Sequence, residues 1–145
     1  IVIITSCPDL RLFGLLEKNI PHGSKIILKR SVSDLSIITF ALSESMESAS
    51  DGSDMKWISI HTAIHENSFI SILSDLTDIQ IETLRLVAQG LSNSEIARVR
   101  YVSEKSVEQI VARIAQHLEI SPDRSRNLRV ILAGEYFKWL GAPRH

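Results

Sequence analysis

Apolar residues recur at helical spacing in the second half of the chain and in short unbroken runs in the first. After Leu76, the positions Ile81, Leu84, Val87 and Ala88 fall at i, i+3, i+6 and i+7, one stripe of a helix. Polar residues bracket that stripe. Thr77 and Gln80 have the spacing of a capping box, and Gly90 stands where the chain leaves the helix through a left-handed turn. Ser92 and Glu95 make a second box, opening a short helix with Ile96 and Ala97 inward. Ser103 caps a third helix, over about 104–118, with Glu104 against its positive end. Val107, Ile110, Val111, Ile114 and Leu118 form its stripe. A last helix, about Ser125 to Leu140, places Leu128, Ile131, Leu132 and Glu135 on one face with Tyr136 and Trp139 beside it, and Gly141 and Pro143 end it.

The second and third helices are separated by only a few residues. They therefore cross, and the third stands out as a rod of the kind that enters a DNA major groove. On periodicity alone, a small helical bundle that binds nothing fits equally well.

The first half reads strand, helix, strand, helix. Ile1–Thr5 is a β-branched apolar run, as in a strand buried on both faces. Asp9–Lys18 reads as helix, with Leu10, Phe13, Leu15 and Leu16 apolar, and Pro21-His22-Gly23 as a turn. Lys25–Lys29 reads as a second buried strand. Ser33 can cap a helix to about Ser45, with Leu35, Ile38, Phe40 and Leu42 available to pack. Short strand–helix loops imply a parallel sheet. A sheet this small leaves strand edges open to another chain, so this portion is expected to be marginal alone or to self-associate through that edge. Ser43–Asp54 is small, polar and acidic, and reads as a flexible linker. In Lys56–Leu76, Trp57, Ile58, Ile60 and Ile64 suit a short strand or helix, and Phe69, Ile70, Ile72 and Leu73 form a further apolar cluster.

Charge complicates the DNA reading. The 145 residues carry a net charge of −1, which excludes a strongly basic coat. Over 76–120, five basic residues face six acidic ones, and over 121–145 five face two, so this half is only +2. Affinity for DNA rests largely on neutralised phosphates, so such a domain needs a dimer or a partner. The single cysteine, Cys7, excludes a disulfide framework, suits a reducing cytoplasm and reads as a packing residue. The apolar runs are too short to span a bilayer, and Ile1–Ile4, without a basic flank or a cleavage site, is not expected to be a signal peptide. The chain begins without methionine, from which a longer parent protein is expected.

Leu76-Thr77, Leu84, Ala88, Gly90-Leu91-Ser92-Asn93, Glu95-Ile96-Ala97, Val102-Ser103 and Ser106-Val107 together resemble the C-terminal DNA-binding domain of LuxR-type regulators, the kind attached to FixJ- and NarL-like response regulators. The resemblance covers roughly 76–120. It implies a four-helix domain whose third helix reads the major groove and whose fourth supports dimerisation. The chain departs from the family pattern at Gln80, usually Glu; at Arg100, usually Leu; and at Ile110, often His. Arg100 is therefore expected at the surface or along a partner, with Val99 replacing the lost packing. At the base-reading positions stand Glu108, Gln109, Ala112 and Arg113. Glu108 repels phosphate but accepts from cytosine, Gln109 pairs with adenine, and Arg113 reaches guanine or phosphate. Lys105, Arg113 and the N–H groups around Asn93 and Ser103–Ser106 are the expected phosphate contacts.

The first half resembles, by topology, the last two βα units of a response-regulator receiver. Thr5 stands at the switch hydroxyl and Lys29 at the phosphate-pairing lysine. Ile26 replaces the switch aromatic and Arg30 the proline after the lysine, which implies a degenerate receiver. The phosphoacceptor Asp belongs to earlier strands.

Other constellations are bland. His61 and His65 are at i, i+4 beside Glu66 but lack a third ligand, so no metal site is expected. Nothing suggests a cofactor or an enzyme. The whole is α+β: a partial α/β receiver-like βαβα segment over 1–48, a linker and connecting segment over 49–75, and an all-α four-helix LuxR-type helix-turn-helix domain with an extended last helix over 76–145. The expected function is a cytoplasmic, dimeric, DNA-binding transcriptional regulator of a two-component system. Its partners are double-stranded DNA, a second copy through Leu128, Ile131, Leu132, Tyr136 and Trp139, and RNA polymerase or another regulator, with no membrane. The rival is a protein-interaction module on the same scaffold. A sigma-factor-like domain is a third reading, disfavoured by the strand–helix units upstream.

Overall fold

The computed structural model describes residues 1–32, 34–58, 72–121 and 126–140. The chain is mixed α+β and divides into two compact units: Ile1–Leu10 with Leu15–His65, and Arg11–Gly14 with Glu66–His145.

The first unit is built on a parallel sheet of β1 (Val2–Thr5), β2 (Lys25–Leu28) and β3 (Lys56–Ile58), in that order. Val2 pairs with Lys25 and Thr5 with Leu28, while Ile27 pairs with Ile58. Of the short strand or helix expected at Trp57, the strand forms, and it lies against β2. β2 is the central strand, and its Ile26 and Ile27 are fully buried. β1 departs from the expected two-sided burial, because it lies at the sheet edge and Ile4 is 41% exposed.

The helix expected over Asp9–Lys18 is instead two short 3-10 turns, Leu10–Phe13 and Glu17–Asn19. The Gly14 N–H donates to Arg11 O and the Leu15 N–H to Leu10 O, a paired closure that ends the first turn before an α-helix can propagate.

Helix α1 runs over Leu35–Asp51, capped by Asp34, whose carboxylate accepts from the Ser36 N–H at 3.0 Å. That bond also holds the Asp34 carboxyl below the usual carboxylate range. Three expectations fail here, the first being the cap, which is Asp34 and not Ser33, a residue outside the described ones. Ser43–Asp51 is helical, so most of the stretch read as linker is α1 itself. The packing face is also different: Leu35, Phe40 and Leu42 are exposed, and the buried positions are Ile37, Ala41, Ser45 and Ser48. Ile37 and Ala41 pack on Ile27, with Val2, Val32 and Ile58 around them.

Further along that face, small side chains admit polar groups. Ser45 Oγ donates to Gly23 O at 3.0 Å, and the fully buried Lys25 ammonium donates to Ser48 Oγ at 2.8 Å. The hydroxyl satisfies one ammonium proton that burial would otherwise leave costly.

The second unit is helical: α2 (Asp78–Ala88), α3 (Asn93–Arg100), α4 (Glu104–His117) and α5 (Leu128–Trp139). Its buried apolar residues include Ile81 and Leu84 from α2, Ile96 from α3, Val107 and Ile114 from α4 and Leu132 from α5, all fully buried. Leu73 and Leu76, just before α2, are buried as well.

Residues 11–14 complete this unit from far away in sequence. Leu12 is fully buried, and its carbonyl accepts from the Tyr136 hydroxyl. The Arg11 guanidinium donates to Leu73 O (2.8 Å), Leu76 O (2.9 Å) and the Asp78 carboxylate (2.9 Å). No helix among the described residues is long and apolar enough to cross a membrane.

Candidate nucleic-acid interface

Each helix of the interface starts on the cap expected for it. Thr77 Oγ1 accepts from the Gln80 N–H (3.2 Å) while Gln80 Oε1 accepts from the Thr77 N–H (2.9 Å), a complete box in which Gln serves where Glu is usual. Ser92 and Glu95 close the second box, with the Ser92 N–H donating to the Glu95 carboxylate at 2.7 Å. The backbone N–H and then the hydroxyl of Ser92 hold Glu95 below the usual carboxylate range. Ser103 Oγ accepts from the Ser106 N–H at 3.1 Å and starts α4.

Between α2 and α3, Gly90 has φ +88°, the Gly90 N–H donates to Val87 O and the Leu91 N–H to Leu86 O. This is the left-handed exit expected at Gly90. The same closure joins α3 to α4, with the Tyr101 N–H on Arg98 O and the Val102 N–H on Ala97 O. Here the left-handed residue is Tyr101, at φ 55° and 96% exposed.

α4 packs with Val107, Val111, Ile114 and Ala115 inward. That orientation sends Glu104, Lys105, Glu108, Gln109, Ala112 and Arg113 to solvent on its other side. Ser103 is exposed and Ser106 half-buried, both at the α4 start. The positions expected to meet DNA on α4 are therefore gathered on one accessible face. Asn93 is a different case. Its Oδ1 accepts from Arg129 Nη1 at 2.6 Å, while Arg129 Nη2 donates to Leu91 O, so Asn93 ties the start of α3 to α5.

Arg100 lies along α2, its guanidinium donating to Thr83 Oγ1 at 2.7 Å, with Thr83 fully buried. The expected compensation by Val99 is absent: Val99 is 55% exposed, and Thr83 is the partner that accommodates the arginine.

The face expected to receive a second copy is largely internal. Leu132, Tyr136 and Trp139, at i, i+4 and i+7, are all at most 7% exposed, because α5 covers α2 with them. Leu128 and Ile131 are half-buried. The exposed apolar residues of α5 are Val130 and Phe137, one stripe at i, i+7 on the opposite side.

In the first unit, Thr5 Oγ1 accepts from the Cys7 N–H at 3.0 Å, so that hydroxyl is engaged within its own loop. Lys29 is exposed, one residue past the position that pairs with Thr5. Burial pushes the Cys7 thiol up to about 11, as suits a packing cysteine. His61, His65 and Glu66 lie outside the described residues.

Sequence reasoning missed Arg129, Arg11 and Tyr101. The first two carry no local signal, since both act across long stretches of chain. Tyr101 could have been found, because the second position before a capping Ser is the left-handed exit of the preceding helix.

Residues 74–125 match the family described as bacterial regulatory proteins, luxR family. The helix-turn-helix is thus a domain of that family, and the match ends short of α5. No curated protein matches the chain.

Proposed function

We propose that this chain is a DNA-binding transcription regulator of the LuxR response-regulator type, acting in the cytoplasm as a homodimer. The observation that carries this reading is the luxR-family match over a helix-turn-helix whose α4 holds Lys105, Glu108, Gln109, Ala112 and Arg113 on one exposed face. Two α4 helices then enter successive major grooves about 34 Å apart, and Asn93, Ser103, Glu104 and Ser106 lie near the phosphates. We assign residues 76–145 to DNA binding and the sheet unit, which reaches past the expected boundary at 48 to include β3, to the end of a degenerate receiver in which Thr5 and Lys29 occupy the switch positions. The proposed contact with a second copy, or with RNA polymerase, shifts to Val130 and Phe137, away from the face that carries the half-buried Leu128 and Ile131. Tyr136, Trp139 and Leu132 support that face from within.

The test is fluorescence anisotropy of the full chain on a labelled random-sequence duplex at about 50 and 200 mM salt, where counterion release is visible. Binding that weakens steeply with salt supports the reading, and no binding by the folded chain at low salt overturns it. In the same titration, Lys105→Ala lowers the salt slope by about one, and Arg113→Ala weakens binding by about 1–3 kcal/mol if the arginine reads a guanine. Glu108→Lys tightens non-specific binding. Unchanged affinity in Glu108→Lys would mean that α4 does not face the phosphates.

A second reading, a protein-interaction module, is favoured by one observation: Glu104 and Glu108 place two carboxylates on the exposed side of α4. It gains if DNA binding fails while the fold is intact.

A further inference from the structure

The α3–α4 turn is closed by a residue whose side chain is almost fully exposed. Tyr101 closes α3 in the left-handed region at φ 55°, where an L side chain is strained and glycine or asparagine is at ease. The residue is 96% exposed, so burial does not offset that strain. Val99 and Val102 beside it are 55% and 39% exposed.

The charge of this corner also differs from that of its surroundings. Between Glu95 and Glu104 there is no acidic residue, while Arg98 and Arg100 fall within the interval. Arg100 is turned onto Thr83 and Ile79 O, whereas Arg98 is exposed, with Glu95 one helical turn before it on the same helix. Solvent at the turn therefore meets one phenol, one guanidinium and two aliphatic side chains.

We infer that Tyr101 is a phosphate-contacting residue of the DNA interface, its hydroxyl donating to a backbone phosphate oxygen and its ring lying along the adjacent sugar, with Arg98 as the charged contact beside it. This rests on the DNA-binding reading and extends it to a residue outside α4. The geometry of helix-turn-helix docking supplies the reason. The N-terminal residues of the second helix meet base edges while the first helix crosses the backbone, so the turn joining them lies at the phosphates. Tyrosine is among the side chains that bond there. A neutral donor at this corner also suits a domain whose α4 carries Glu104 and Glu108. It adds affinity without adding salt dependence.

The experiment uses the full chain and the labelled random-sequence duplex, with thermal unfolding followed in parallel. Tyr101→Phe removes only the hydroxyl and weakens binding about ten- to a hundredfold, the loss of one hydrogen bond to a charged group, with an unchanged salt slope. Arg98→Ala weakens binding and lowers the slope by about one. Tyr101→Gly relieves the backbone, so its thermal midpoint rises while its affinity falls further than that of Tyr101→Phe. If the parent binds and both Tyr101 variants bind equally well, the inference is wrong and the DNA-binding reading stands. If the parent does not bind, both fall. A lower midpoint for Tyr101→Gly would make the ring a structural residue and overturn the inference.

Discussion

Leu12→Ala lowers the stability of the helical unit by about 2–5 kcal/mol, although residue 12 lies more than sixty positions from α2 in the chain. Leu12 is fully buried and belongs to that unit, so truncation loses the transfer free energy of the side chain and leaves a cavity. Nothing nearby is placed to refill it easily. Leu12 O is held by the Tyr136 hydroxyl, and Arg11 is fixed by three acceptors at 2.8–2.9 Å just before and at the start of α2. The measurement is urea unfolding followed by tryptophan fluorescence in a Trp57→Phe background, which leaves the buried Trp139 of α5 as the sole reporter. Phe13→Ala is the control. Phe13 is 48% exposed, and its removal costs far less. Coincident transitions for parent and Leu12→Ala would show that residue 12 is not part of this core. A chain cut to begin near residue 74 keeps the luxR-family segment but loses Leu12, so its DNA affinity would be depressed by incomplete folding.

This dependence was not legible in the sequence, for a physical reason. Local rules read caps and stripes, and the helix-turn-helix is made of them. Thr77 with Gln80, Gly90, Ser92 with Glu95, and Ser103 each act within a few residues of themselves, so their spacing is enough to foretell the bonds they form. The outward face of α4 follows as well, because Val107, Val111 and Ile114 leave only one side for Glu108, Gln109 and Arg113. Long-range partners leave no such trace. Arg129 on Asn93, Arg100 on Thr83 and Arg11 on Leu73 O join elements whose approach only the fold decides. α5 was misjudged for a related reason. Leu132, Tyr136 and Trp139 were expected to meet a second copy, but they are buried in a unit whose core also includes Leu12, Leu73 and Leu76. In the first unit the error ran the other way. Ser45 and Ser48 resembled linker composition, and Ala41 was passed over as a packing position, because small residues mark both flexible chain and close helix packing, and hydropathy cannot separate the two. Their spacing of four and three, continued from Ile37, is the signal that does.

That close packing sets the other large effect. Gly23→Ala destabilises the sheet unit by about 2–5 kcal/mol, combining left-handed strain with overpacking. Gly23 has φ +74°, and a Cβ there would stand 2.6 Å from Ala49 N, 2.9 Å from Ala49 Cα and 2.9 Å from Ser48 C. All three are backbone atoms of α1, so no side chain can rotate away. The helix itself must retreat, and its small-residue face loses register with the turn. The Ser45 hydroxyl on Gly23 O and the Gly23 N–H on Ser53 O both stretch, and Ser48 moves off the buried Lys25 ammonium. The last step is the most costly, since an ammonium that loses a partner without reaching water is a heavy penalty. Gly52→Ala separates the two contributions. Gly52 has φ +69° with nothing within 4 Å of its Cβ, so it shows the backbone strain alone, about 1 kcal/mol. Hydrogen exchange of the full chain reads the difference directly. Amides of β2 and α1 exchange much faster in Gly23→Ala than in Gly52→Ala, while those of α2 and α4 serve as the internal reference. Equal protection of β2 in the two variants would mean that α1 does not bear on Gly23, and the small-residue face would then have no packing role.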